Sequence, residues 1–587
     1  MSSKRPTGPK KNRGSEDRPL ALDHDTLSIQ QIASTEWQTT APRVIYSLIK
    51  DLLEANPPPS SHMDPKSATD YFNKLRSATE SEAKKIVQPY SGAQWLWYLR
   101  RLPRIFDGEL LNSGPYDRQL ADLISGASER ELGITSERSI SFPVTDGVVR
   151  RILRLCATTI LLSGIHTDLR LAGKGIEFEC DGMNFPSSIP NAQIDEAVRL
   201  FDQRVIEDAG DFGVAGTRVF SPIGRTAAAT GGSPVLLVET VNDWRQLPTL
   251  IGPLRDGHEV MTMGRYTPTL MSVSDLPSIL ARARGGDDQW WEPALPALLA
   301  LLKAAWWALY EASDNGWLSL VRYGYLTEHW QALQQTLESS LPMLRDEIED
   351  MFPGACPANA AEAIELLLTV RPQFWPPMPG PVLRPAGEGV FVDLHAATAR
   401  LYRMMAVAPS GGKISNIRAK HFEDVVQDLI DASPWAPGPS LRSMQRRQLR
   451  RTSGTIMTDL DAVGEFDNTL LIVDCKSIPY SIEYDAGYHT TVLNVQKEIL
   501  GNKLPNWRRV VNELTAVPIG PNYDFSRFGR IVGIICTSHV FFVPLGEATQ
   551  TIFISPNSLA LRAVSSYGEL KRFLERWPGA PISKIKL

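Results

Sequence analysis

Cysteine is scarce in this chain, with five among 587 residues, at Cys156, Cys180, Cys356, Cys475 and Cys536. The number is odd, the spacing is wide and no CxxC pair occurs. That argues against a disulfide framework or a cysteine-built zinc site and points to a reducing, cytoplasmic setting. A long apolar run is missing too. The most hydrophobic stretch, residues 293–312, is broken by Lys303 and Glu311. It reads as a buried helix rather than a span, so no membrane partner is expected. Nor is there a surplus of positive charge: 61 Lys and Arg stand against 66 Asp and Glu, a net of -5. Any contact with nucleic acid must therefore be local. The stretch APSGGKIS (408–415) is no phosphate-binding loop, because Ile414 follows Gly-Lys and position 407 is Val407. No nucleotide-driven motor is expected. The first 25 residues are basic and polar without an apolar core, which reads as a disordered tail rather than a leader.

What is present fits a folded protein of several domains. With 43% hydrophobic and 22% charged residues, a chain of this length divides into roughly three or four cores. The patterning places a helical region at 26–168, an α+β region at 169–285 and a Trp- and Leu-rich helical region at 286–370. A Pro-rich linker at 371–412 and a last α/β domain at 413–587 complete the expected multidomain α/β architecture. Tryptophans at helical spacing in the third region read as core. The last region differs in charge, with 21 basic against 17 acidic residues, while the remainder carries 40 basic against 49 acidic. A local basic surface is thus available.

Within that region, residues 455–477 (TIMTDLDAVGEFDNTLLIVDCKS) hold most of the chemistry. Asp459 and Asp461 lie on a β-like segment, Gly464–Asn468 has turn composition, and TLLIVDC (469–475) is a strongly apolar strand. Strand alternation puts Asp474 and Lys476 on one face and Cys475 on the other. A carboxylate and an ammonium at the end of a buried strand are costly to desolvate. Two carboxylates and a lysine so placed suit metal-assisted hydrolysis of a phosphodiester, with oxygen ligands for Mg²⁺ and a cation beside the attacking water.

These residues resemble the PD-(D/E)xK, or restriction-endonuclease-like, nuclease superfamily, in particular its resolvase-like, Mrr-like and nuclease-related branches. The resemblance covers roughly residues 413–580. It implies Asp461 and Asp474 as metal ligands together with the Cys475 backbone carbonyl, Lys476 as the water-positioning lysine, and Glu423 on helix 418–432 as a further acid of the metal shell. Gln496 is the counterpart of a glutamine that some branches carry. The implied core is a helix, a three-stranded meander, a helix near Tyr488–Leu500, a further strand within 530–545 and a closing helix at 566–577. The chain has no literal Pro-Asp, since Leu460 precedes Asp461.

Beside this motif lies RSMQRRQLRR, with Arg442, Arg446, Arg447, Arg450 and Arg451. On a helix these would cover one side and suit phosphate contact, as would Arg508 and Arg509 beside Trp507. The expectation is a cytoplasmic Mg²⁺-dependent DNA endonuclease, with Mn²⁺ able to substitute and RNA as the alternative substrate. Its N-terminal region would recognise, regulate or pair with a second copy or a partner protein, as in a defence effector against foreign DNA. The alternative is an inactive nuclease-like scaffold that binds DNA without cutting it.

Overall fold

A computed structural model describes residues 42–101, 115–132, 142–212, 233–240, 249–253, 259–273, 292–406, 412–478 and 481–577, apart from breaks of one or two residues inside these ranges. The basic tail expected at 1–25 lies outside the described residues. The chain is mixed helix and sheet. No described helix is long and apolar enough to cross a membrane.

The N-terminal third is built around α1 (Asp146–Gly173), which begins where the Thr145 hydroxyl accepts the amide of Val148. Its apolar residues run right round the helix, so it needs cover on every side. Ile152 and Cys156 enter one core with Trp95 and Leu96, and Ile165 and Leu169 enter another with Phe72 and Phe178. The middle of the chain packs around the helix Ala294–Glu311, whose Leu295, Leu298 and Leu302 are fully buried. The segment 371–412 is not a linker. It contains strands Leu383–Ala386 and Gly389–Asp393 and helix Leu394–Ala406, all contributing to buried cores. Its Pro385 is tolerated because Leu383–Ala386 is the edge of the sheet it shares with Gly389–Asp393 and Tyr325–His329.

The C-terminal domain is a four-stranded sheet between helices. Its elements are α2 (Ala192–Phe212), α3 (Gly412–Asp431), β1 (Ala462–Phe466), β2 (Thr469–Lys476), α4 (Leu504–Ala516), β3 (Arg530–Thr537), β4 (Val564–Ser566) and α5 (Tyr567–Glu575). The strand order is β1-β2-β3-β4, with β1 antiparallel to β2 and the others parallel. Thr469 to Val473 of β2 are buried throughout, as a central strand covered on both faces requires. Leu471, Val473 and Cys475 pack with Phe422, Val426 and Ile430 of α3 and Phe573 of α5. Leu470 and Ile472 face a second core with Trp507, Val510 and Leu514 of α4.

Two local expectations are corrected. The β1–β2 turn is only Asp467-Asn468, both at positive φ (37° and 59°), a two-residue hairpin. Gly464 stands inside β1 because a Cβ there would meet Ile430 and the Trp435 carbonyl, each at 2.9 Å. No three-stranded meander forms: Ile456–Asp459 pairs with Gln448–Arg450 as a separate ribbon, and the chain bends at Leu460, whose carbonyl accepts the Arg446 amide at 2.6 Å. The further strand expected within 530–545 runs from Arg530 to Thr537, and Phe541 and Phe542 beyond it enter the core as irregular backbone.

One helix of this domain comes from far upstream. Ala197 and Phe201 of α2 join the α4-side core, and the buried Arg204 guanidinium donates twice to Glu569 of α5, at 2.8 Å each, and to the Val564 carbonyl. Glu569 also closes a capping box with Ser566. At the end of α1, Gly173 lies against Gly487; a Cβ on Gly173 would sit 2.0 Å from the Gly487 carbonyl oxygen.

Candidate active site

The candidate side chains gather at the carboxyl end of β2, which in an open α/β sheet is where ligands are commonly bound. Asp474 and Lys476 continue the row of Leu470 and Ile472 past the end of the core and are both half-buried, while Cys475 stays inside. Lys476 Nζ lies 2.5 Å from Asp474 Oδ1, 3.3 Å from the Cys475 carbonyl oxygen and 3.9 Å from Asp461 Oδ2. Asp461 sits in the bend just before β1, buried, with Oδ2 accepting the Cys475 amide at 2.7 Å. The two acids reach the same point from the bend before β1 and from the end of β2.

The bend is held from behind by Gln427, which is fully buried on α3. Its side chain accepts the Val463 amide at 2.8 Å and donates to the Val463 carbonyl at 2.9 Å and to Asp431 at 2.8 Å, pairing with β1 as a further strand would. From the other side, Gln445 donates to the Asp461 carbonyl at 3.0 Å. Neither glutamine was singled out in the sequence. The available signal was a polar residue at 427 amid the apolar positions 422, 426 and 430 of α3.

Acids outnumber cations in this cluster. Burial, then the neighbouring Asp474 carboxylate, raise the Asp461 pKa above the usual carboxylate range, against Lys476 and the Cys475 amide. Burial works against the Lys476 ammonium, yet Asp474 and Asp461 outweigh it and raise its pKa. Two carboxyl groups share one ammonium in a poorly solvated place, and Asp461, pushed up to about 8, holds its proton at neutral pH unless a further cation joins the cluster. The oxygen donors Asp461, Asp474 and the Cys475 carbonyl are of the hard kind that Mg²⁺ or Mn²⁺ prefers, so the residues present fit such an ion. Among the described residues no group of three or more His, Cys, Asp or Glu side chains is arranged to hold a metal; the carbonyl would have to supplement the two acids.

Glu423, on α3, is not turned wholly to that point. Its Oε2 accepts Arg446 Nε at 2.9 Å, and the same guanidinium reaches Asp424 at 2.9 Å and the Lys420 carbonyl at 2.6 Å. Its charge still adds to the field at Asp461. Gln496 ends the helix His489–Gln496, and no hydrogen bond or ion pair links it to Asp461, Asp474 or Lys476 among the described residues.

The arginine run is not a helix. Arg442 ends a single helical turn, Pro439–Arg442, and Arg450 lies in the strand Gln448–Arg450. Pro437, Gly438 and Pro439 restrict the entry, and the ribbon claims the exit. Several of these cations already have partners: Arg442 pairs with Asp431, Arg446 with Glu423 and Asp424, Arg451 with Glu513 and Arg508 with Glu547. Arg447, Arg450 and Arg509 are exposed and form no ion pair among the described residues. Trp507 is buried in the α4 core rather than offered to a ligand.

Comparison with known protein families, with curated proteins and with solved structures finds no match for this chain.

Proposed function

We propose that the C-terminal domain is a metal-dependent nuclease that hydrolyses phosphodiester bonds in DNA. The observation that carries this reading is the convergence of Asp461, Asp474 and the Cys475 carbonyl on Lys476 Nζ at the end of the central strand. Two carboxyl groups and an ammonium buried together, one carboxyl driven to hold its proton, are a costly arrangement for a merely structural role. The order of helix, antiparallel hairpin, helix and parallel strand agrees with a restriction-endonuclease-like core except for the third meander strand, which pairs as a separate ribbon.

A bound Mg²⁺ or Mn²⁺ would supply Lewis-acid activation of a phosphate oxygen and of water. Asp461 and Asp474 would hold it, with the Cys475 carbonyl as a third oxygen. Lys476, relieved of part of its ion pairing once the carboxylates turn to the ion, would orient the attacking water and offset charge growing on the phosphoryl oxygens. Gln427 and Gln445 hold the Asp461 backbone in place while this happens. The exposed Arg447, Arg450 and Arg509 are the cations left to contact the phosphate backbone.

Circular plasmid incubated with the full chain in Mg²⁺, Mn²⁺ or EDTA tests the proposal. Nicking or linearisation that requires metal should fall by about 10²–10³-fold in Lys476→Ala, the scale of losing one preorganised group. Metal-independent binding of DNA with no cleavage in either protein would favour the inactive scaffold instead.

A further inference from the structure

Arg446 stands out among the arginines in its backbone as well as its contacts. Its φ is +60°, in the left-handed region that a non-glycine residue occupies only when its surroundings force it there. Two restraints do so. Its amide donates to the Leu460 carbonyl at 2.6 Å, immediately before Asp461. Its guanidinium is divided among Glu423, Asp424 and the Lys420 carbonyl on α3. One residue thereby joins the base of the 448–459 ribbon, the Asp461 bend and the acidic face of α3. Its side chain is still 34% exposed, so a ligand from solvent can reach it.

We infer that Arg446 is a phosphate-displaceable latch on Glu423, coupling nucleic-acid contact to completion of the metal site; this rests on the nuclease reading above. In the structure the guanidinium spends its fork on Glu423 and Asp424, and the site is left with two acids and a carbonyl near Lys476. A guanidinium binds a phosphodiester with the same bidentate geometry it uses for a carboxylate. A phosphate arriving over the ribbon draws the fork away from α3, and the freed Glu423 carboxylate strengthens the negative field that Asp461 already feels from it. Metal and nucleic acid then bind cooperatively, each favouring the state the other needs. Arg446 is a positioning residue in this scheme.

The test measures binding of each ligand in the absence of the other, using the full chain. Mn²⁺ alone is titrated by electron paramagnetic resonance into wild type, Arg446→Gln and Arg446→Gly, the glycine being suited to the positive φ. A short labelled DNA duplex is titrated in EDTA by fluorescence anisotropy. The latch requires both variants to bind Mn²⁺ about tenfold tighter than wild type, the scale of one screened charge-assisted hydrogen bond. Adding Glu423→Gln must cancel that gain, and both variants must bind the duplex more weakly in EDTA. If wild type binds Mn²⁺ and the variants bind it equally or less well, the latch is overturned while the metal site stands. If no protein binds Mn²⁺ at all, the nuclease reading falls and the latch with it.

Discussion

Gln427 shows how a single side chain does what a strand would otherwise do. Both its amide groups are spent on Val463 and Asp431, so the backbone beside Asp461 is satisfied inside the core without water. Asp168 on α1 is the opposite case, a carboxyl raised to about 7 by burial alone. Its folded pKa lies above the unfolded value of about 3.9, so the folded state holds the proton longer. The stability it contributes is therefore complete below about pH 4 and lost as pH rises through about 7. Asp168→Asn should remove that slope. Urea midpoints between pH 4 and 8 should fall for wild type relative to the variant, by up to a few kcal/mol. Parallel curves would show that Asp168 is solvated.

At the scale of elements, the sequence was informative where a pattern is local. The apolar run 469–475 ending in Asp-x-Lys has strand length and alternation, and β2 carries Asp474 and Lys476 on one face as that alternation requires. The helix ahead of it also follows from 3.6-residue spacing. The arginine segment misled because helix periodicity cannot see that Gln448–Arg450 pairs with residues six to eleven positions further on. The participation of α2 was invisible for a stronger reason: its partner Glu569 is 365 residues away. The junction of α1 with the C-terminal domain includes a close backbone approach beside the His489 contact to the Gly173 carbonyl. Gly173 and Gly487 admit no Cβ between them, and a methyl on Gly173 meets a carbonyl rather than a side chain that could swing aside. Gly173→Ala should destabilise the protein by about 1–3 kcal/mol, read as an earlier urea midpoint, with proteolysis near residue 487 sooner than in wild type. An unchanged midpoint would mean that the two segments part easily.

For the whole molecule, the charge contrast between the last region and the rest suggests an independent C-terminal unit, but the packing does not. Removing everything before 413 uncovers Phe542 and the α4-side core where Ala197 and Phe201 sit, and leaves Glu569 without the Arg204 guanidinium. Glu569 then keeps only Arg562, at 3.2 Å, as an ion-pair partner, and losing one cation from a buried pair costs up to about 3–5 kcal/mol. A protein beginning at residue 413 should therefore be aggregated or bind a hydrophobic dye, whereas co-expression with residues 1–412 should restore a soluble complex. A monomeric, cooperatively melting 413–587 fragment would show that α2 is dispensable.

That borrowed helix has a consequence for inheritance. A gene break anywhere between the codons for residues 212 and 412 separates α2 from the sheet it covers. Recombination that moved the sheet without α2 would leave Glu569 without Arg204 and the α4-side core without Phe201. A chain built this way descends as one indivisible unit rather than as a cassette.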